Sequence, residues 1–255
     1  MLLALVAALS PSPAAADLAA ARSHLLAGNH EAALAEYKRL AVQGDAEAQA
    51  SLGELYFAGR GIDQVQEAAI EWFRRAAAGG YVASQVHLGM ISAQARDFEQ
   101  SPKWFNKAAE AGDAEGMTNL AALYFRSLGV ERNAVRALDW FAKAASQGDP
   151  AHQLQLGGLY LDGAAGELDV VNGLRWVGRA ADRGFSDAQL RLGSIHAEGG
   201  AVPKDPVRAY MWFYRASMMG TEQTGDRLTR LKAEMTTEQI SEAKRLADAW
   251  RPGAR

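Results

Sequence analysis

The chain has 255 residues, with 27 basic and 30 acidic side chains and a formal net charge of −3. That balance, with no polybasic run, argues against nucleic acid or an anionic membrane surface as partner. The complete lack of cysteine excludes disulfides, thiolate metal sites and cysteine nucleophiles together.

In chain order, the first signal is the apolar run Leu2 to Leu9, too short to span a bilayer. Ser10-Pro11-Ser12-Pro13 breaks it, and Ala14-Ala15-Ala16 supplies a small-residue cleavage site before Asp17. These are the parts of a secretory signal peptide over residues 1–16, although its first residues carry no Lys or Arg. The expected location is therefore periplasmic or secreted, with a cytoplasmic product as the alternative. No later stretch is long and apolar enough to cross a membrane, so stable membrane insertion is not expected. Residues 17–44 read as a tight, degenerate helix pair turning at Gly28-Asn29.

A repeat then takes over. Trp72, Trp104, Trp140, Trp176 and Trp212 are separated by 32, 36, 36 and 36 residues. Eight residues after each comes a glycine, from Gly80 to Gly220, and four residues after each comes an alanine. A second set, Leu52-Gly53, Leu88-Gly89, Leu120-Ala121, Leu156-Gly157 and Leu192-Gly193, runs in the same phase. A fixed period of this length means stacked supersecondary units. Five full units fall at roughly 45–80, 81–112, 113–148, 149–184 and 185–220.

Each unit reads as two helices. Ala48, Leu52, Leu55 and Tyr56 make an apolar face at helical spacing, and Ala69, Trp72, Phe73, Ala76 and Ala77 make another. Gly-rich stretches such as Gly59-Arg60-Gly61 mark the turn between them, and the 32-residue unit has lost that loop. The closing glycine sits where a helix end takes a left-handed residue. The glycine inside the first helix costs about 0.5–1 kcal/mol relative to alanine. Since one unit answers it with Ala121, the position demands smallness. The expected cause is the Trp-bearing helix, with the indole packed against bare backbone; burying it would contribute at most about 4–6 kcal/mol.

The pattern A…LG..Y..G.G…A..W…AA..G, written almost in full from Ala48 to Gly80, resembles the Sel1-like repeat, a relative of the tetratricopeptide repeat. The resemblance covers 45–220, with departures at Ser92 and His196 (for Tyr) and His152 (for Ala). It implies an all-α fold, an α/α solenoid wound as a right-handed superhelix of helix pairs. Residues 221–250 read as two capping helices, the second opened by a Thr236/Gln239 capping box, before a short tail to 255.

Catalytic signals are weak. No histidine has a second histidine three or four residues away, and there is no H-E-x-x-H, so neither a metal nor another cofactor is expected. Ser241 and Lys244 match S-x-x-K, but the companion S-D-N and K-T-G motifs are missing, and the pair reads as the polar face of a cap helix. The Sel1-like family has a cysteine-rich branch associated with β-lactam hydrolysis and penicillin binding. The enzyme alternative drawn from it does not fit a chain without cysteine. No catalytic residue is expected.

What remains is a surface. First helices line the concave face of such solenoids, and their off-core positions vary here: Ser51, His87, Asn119, Gln155 and Arg191, then a turn later Arg126, Asp162 and Glu198. A constant scaffold with a varied polar stripe suits a protein or peptide partner. What the resemblance implies is a non-enzymatic adaptor or regulator in the bacterial cell envelope, with a cytoplasmic assembly adaptor as the alternative.

Overall fold

The computed structural model describes residues 13–164, 166, 168–221 and 224–250, and the described residues form fourteen helices and no strand. The expected signal peptide lies outside them up to position 12; residues 13–16 open the first helix.

The chain divides into two compact units, with the boundary between Gly116 and Met117. The N-terminal unit holds α1 (Pro13–Leu26), α2 (His30–Val42), α3 (Ala46–Ala58), α4 (Gln66–Ala78), α5 (Val82–Gln94) and α6 (Ser101–Glu110). The boundary falls inside α7 (Ala114–Arg126). The C-terminal unit continues with α8 (Ala134–Ser146), α9 (Pro150–Leu161), α10 (Val170–Asp182), α11 (Ser186–Glu198), α12 (Pro206–Met218), α13 (Thr224–Glu234) and α14 (Thr237–Ala249). Consecutive helices pack on one another: α3 on α4 and α5 on α6 in the first unit, α9 on α10 and α11 on α12 in the second.

The helix ends follow from the recurring residues. Asp45, Asn133, Asp169 and Asp205 each accept a backbone N–H three residues on, at 2.8–2.9 Å, satisfying an amide the helix leaves without a partner. Thr236 and Gln239 form the expected reciprocal box. At the other end Gly80, Gly112, Gly148, Gly184 and Gly220 all have positive φ, from 79° to 99°. The following N–H reaches back five residues, as from Tyr81 to the Ala76 carbonyl at 2.9 Å. Gly44, at φ 94°, ends α2 in the same way, so the repeat's stop signal begins one unit before its tryptophans do. In the short unit the deletion removes the loop and also trims the second helix: α6 has ten residues where α4 and α8 have thirteen.

The core columns are deeply buried. Leu52, Leu88, Leu120, Leu156 and Leu192 are at most 4% exposed. The notch in the first helix is filled from the second helix as expected, but by the residue after the tryptophan. A methyl at Gly53 would stand 2.8 Å from Phe73 ring carbons; at Gly89 it meets Phe105 at 2.6 Å, at Gly157 Val177 at 2.6 Å and at Gly193 Phe213 at 2.5 Å. Phe141 packs in the same core cluster as Ala121. The indole itself is only half-buried in four of five units. Trp and Phe are consecutive and about 100° apart around the helix; the phenyl points into the notch and the indole lies beside it.

Each half-buried indole is covered by a cation three residues on. Arg75 lies over Trp72 at 4.6 Å, Lys107 over Trp104 at 4.5 Å, Lys143 over Trp140 at 4.0 Å and Arg179 over Trp176 at 4.5 Å, distances at which the ring quadrupole attracts the charge. The fifth unit departs. Trp212 is buried edge-on against Trp250, and Arg215 covers Trp250 instead, donating also to the Ala247 carbonyl at 2.8 Å. The last column member thus fastens the cap helix. In α2 the same positions hold Glu36 and Arg39, paired at 3.0 Å, with Tyr37 buried in the phenyl column. A salt bridge replaces the cation–π pair where the tryptophan is missing.

Candidate protein-binding groove

The C-terminal unit carries an open groove on its first helices. Leu154, Gln155, Gly158, Leu159 and Asp162 from α9 face Asp187, Leu190, Arg191 and Ser194 from α11, and Arg227 from α13 closes one side; the volume is about 480 Å3. The leucines form its floor, and Gly158 adds no side chain, with open space where a Cβ would stand. Charge sits on the walls. Arg191 and Asp162 pair across the groove at 3.5 Å, both well exposed, and Arg227 donates to the Ser194 hydroxyl. An exposed pair of this kind contributes little to stability, so its members are available to a ligand.

Three of the eight predicted positions, Gln155, Asp162 and Arg191, therefore meet in one groove. Arg126 and Glu198 are exposed at the ends of α7 and α11, outside its lining. Asn119 is partly buried in α7. Ser51 and His87 belong to the N-terminal unit and are committed to packing there. Ser51 shares a hydrogen bond with the Tyr37 hydroxyl, whose pKa is raised chiefly by burial. His87 stacks on Phe73 with ring centroids 4.9 Å apart, its Nε2 3.7 Å from Glu54.

Sequence reasoning missed the floor and one wall. Leu154 and Leu190 stand where the other units have Ala50, Val86 and Thr118, a varied column that the same comparison would have exposed. Arg227 lies in a cap helix outside the repeat, where periodicity gives no signal. Also missed was a buried glutamine column that ties units together. Gln49, Gln153 and Gln189 donate to the Ala41, Ala145 and Ala181 carbonyls at 3.0–3.3 Å, satisfying acceptors left open at the end of the preceding helix.

The other candidates resolve simply. Ser241 donates its hydroxyl to the Thr237 carbonyl at 2.9 Å, and Lys244 lies over the Tyr214 ring at 5.8 Å, so serine and lysine are each engaged elsewhere. His152 sits half-buried with Nδ1 3.7 Å from Asp149. His196 occupies the tyrosine column, its pKa lowered by burial first and by Arg208 second. No described helix is long and apolar enough to cross a membrane.

Five stretches, residues 46–81, 85–113, 114–149, 153–185 and 186–221, match the Sel1 repeat. The chain belongs to the Sel1 repeat family. A Sel1 repeat protein of Oxalobacter formigenes is similar in structure, with a TM-score of 0.71, 24% identity, and coverage of 91% of this chain and 96% of that one. A protective antigen of uropathogenic Escherichia coli strains, displaying the same fold, is 28% identical with a TM-score of 0.61. That match covers 87% of this chain but only 56% of the antigen's length. An immunity protein of Pseudomonas aeruginosa, 19% identical over 83% of this chain and 84% of its own, has a TM-score of 0.51. No curated protein matches. Sel1 repeat proteins generally mediate protein–protein interaction and typically serve as non-catalytic scaffolds.

Proposed function

We propose that this Sel1 repeat chain is a non-enzymatic adaptor or regulator of the bacterial cell envelope that holds a segment of a partner protein in the groove of α9, α11 and α13. One observation carries the reading: the Leu154–Leu159–Leu190 floor lies beneath an exposed Asp162–Arg191 pair, within a scaffold whose buried leucine column is the same in all five units. Apolar anchors from the partner would bury on the leucines, while its own charges exchange with Asp162 and Arg191. Opposite charges placed at fixed points set register and exclude wrong partners more than they add affinity.

The test is in-cell crosslinking of a tagged copy with identification of what it captures, repeated after charge reversal at Arg126, Asp162, Arg191 and Glu198. The expected result is loss of the captured partner with an unchanged melting curve, because all four side chains are exposed. Retained capture rules the face out. The envelope placement rests on Leu2–Leu9 and the Ala14-Ala15-Ala16 site. An alkaline-phosphatase fusion to residues 1–30 is expected to be active, and an inactive fusion places the adaptor in the cytoplasm.

A further inference from the structure

The groove of α9, α11 and α13 ends in opposite charges, and α11 sets the distance between them. Asp187, Leu190, Arg191 and Ser194 all line it from that helix. At offsets of three, four and seven residues they share one helical face. Measured from Asp187 at 1.5 Å per residue, the other three stand about 4.5, 6 and 10.5 Å along the axis. Leu190, an apolar anchor point, therefore lies between Asp187 and Ser194.

Asp187 is exposed and has no hydrogen bond or ion pair among the described residues. The charges beyond it are taken up by the start of α9: Asp149 accepts the Ala151 and His152 N–H groups, and Arg183 donates to the Gly148 carbonyl. At the other end Arg227 reaches from α13 to the neutral Ser194 hydroxyl and lies over the Phe213 ring at 5.3 Å. It has no carboxylate partner among the described residues. Arg191, one turn before Ser194, has only Asp162, at 3.5 Å. That end sets two guanidinium groups against one carboxylate, and Glu198, Asp226 and Arg230 stay outside the lining.

A helix laid along α11 repeats side chains on one face at the same rises. An extended segment returns to a face only every ~6.6 Å and overshoots the span at ~13 Å. A helix also favours acid in its first turn and base in its last. Acid opposite Arg227 and base opposite Asp187 then fix its direction. We propose that the groove takes an amphipathic helix of a partner protein, antiparallel to α11, in the order acidic residue, apolar residue three or four positions on, basic residue at seven. This rests on the groove reading above and adds to it the partner's conformation, order and direction.

Selection of a phage-displayed library of helical peptides on the full chain tests this, followed by fluorescence anisotropy of the most enriched peptide. Enriched sequences are expected to carry acid, apolar residue and base in that order and spacing. Gly158→Gln, which places a side chain in open groove space, is expected to weaken binding at least about tenfold with an unchanged melting curve. Arg227→Glu is expected to weaken it about five- to tenfold, and lysine in place of the peptide's acid to restore it on that variant. Asp187→Lys and glutamate in place of the peptide's base should behave likewise. Rescue by the exchanged peptide reads the contact whatever each variant does to folding. Peptides indifferent to Gly158→Gln sink the groove reading itself. Peptides blocked by Gly158→Gln but enriched in the reverse charge order, or unrescued by the exchanges, overturn this inference alone. A library with no enrichment overturns both.

Discussion

Gly157 and Gly158 are neighbours in α9 with opposite demands on them. A methyl at Gly157 would stand 2.6 Å from Val177 Cγ2 and 2.9 Å from both the Gly173 carbonyl oxygen and the Val177 nitrogen. Backbone cannot yield as a ring can, so overpacking there is expected to cost about 1–3 kcal/mol, more than the roughly 1 kcal/mol of helix propensity that alanine returns. At Gly158 a methyl meets nothing within 4 Å, and Gly158→Ala is expected to stabilise by about 0.5–1 kcal/mol. Urea denaturation of the two variants measures the difference. Equal effects would mean that the notch is not what requires glycine. The same residue pair marks what sequence could and could not say. Smallness at 157 was readable because Ala121 answers it one unit earlier. That Val177, and not Trp176, fills the notch was not, because both residues recur at the same period and only packing chooses between consecutive side chains. The cation column recurs in all five units, as the tryptophans do, and the glutamine column in four, with Met117 in the third; both were legible in the sequence as periodic positions.

Helix starts and stops were the most readable feature at the element scale, since aspartate, asparagine and glycine act through local backbone geometry that neighbours seldom override. Two stops depart from this: Ser127, at φ 57°, follows α7, and Arg96 lies in the shortened unit. There the chain turns from α5 towards α6 through Arg96, a non-glycine residue at φ 57°, with the Asp97 N–H reaching the Ser92 carbonyl at 2.8 Å. A left-handed conformation costs a residue with a Cβ about 1–2 kcal/mol. Glycine removes that strain but gives back part of the gain as freedom of the unfolded chain. Arg96→Gly is therefore expected to raise stability by about 0.5–1 kcal/mol, and thermal melting checks it. A fall in melting temperature would show that the arginine side chain holds the turn by contacts of its own. The groove was only half readable at this scale. Its α9 and α11 walls follow from repeat register, whereas Arg227 arrives from a helix that obeys no repeat.

Acid stability is where the whole chain answers for these local choices. Two kinds of group respond to falling pH, in different windows. His196 is held half-buried beside Trp212 and Val202, and its folded pKa lies below the ordinary imidazole value of about 6.5. The unfolded state therefore takes up a proton first as pH falls. The stability His196 contributes is complete above about 6.5 and declines between that value and the lower folded pKa. The cap carboxylates Asp149 and Asp169 are depressed by the backbone N–H groups they accept, and Glu242 by Arg245. Their contribution is present above the ordinary carboxylate range and fades only as pH falls through it and below. Denaturation midpoints at pH 7.5 and 5.5 isolate the histidine from the carboxylates. The wild type is expected to lose stability between these two values, and His196→Tyr, which restores the side chain found at Tyr56, Tyr124 and Tyr160, to lose measurably less. Hydrogen exchange should place the difference in the C-terminal unit, where α10, α11, α12 and α14 enclose that cleft. If His196→Tyr tracks the wild type across the interval, the proton responsible is taken up elsewhere and burial of His196 does not govern the response.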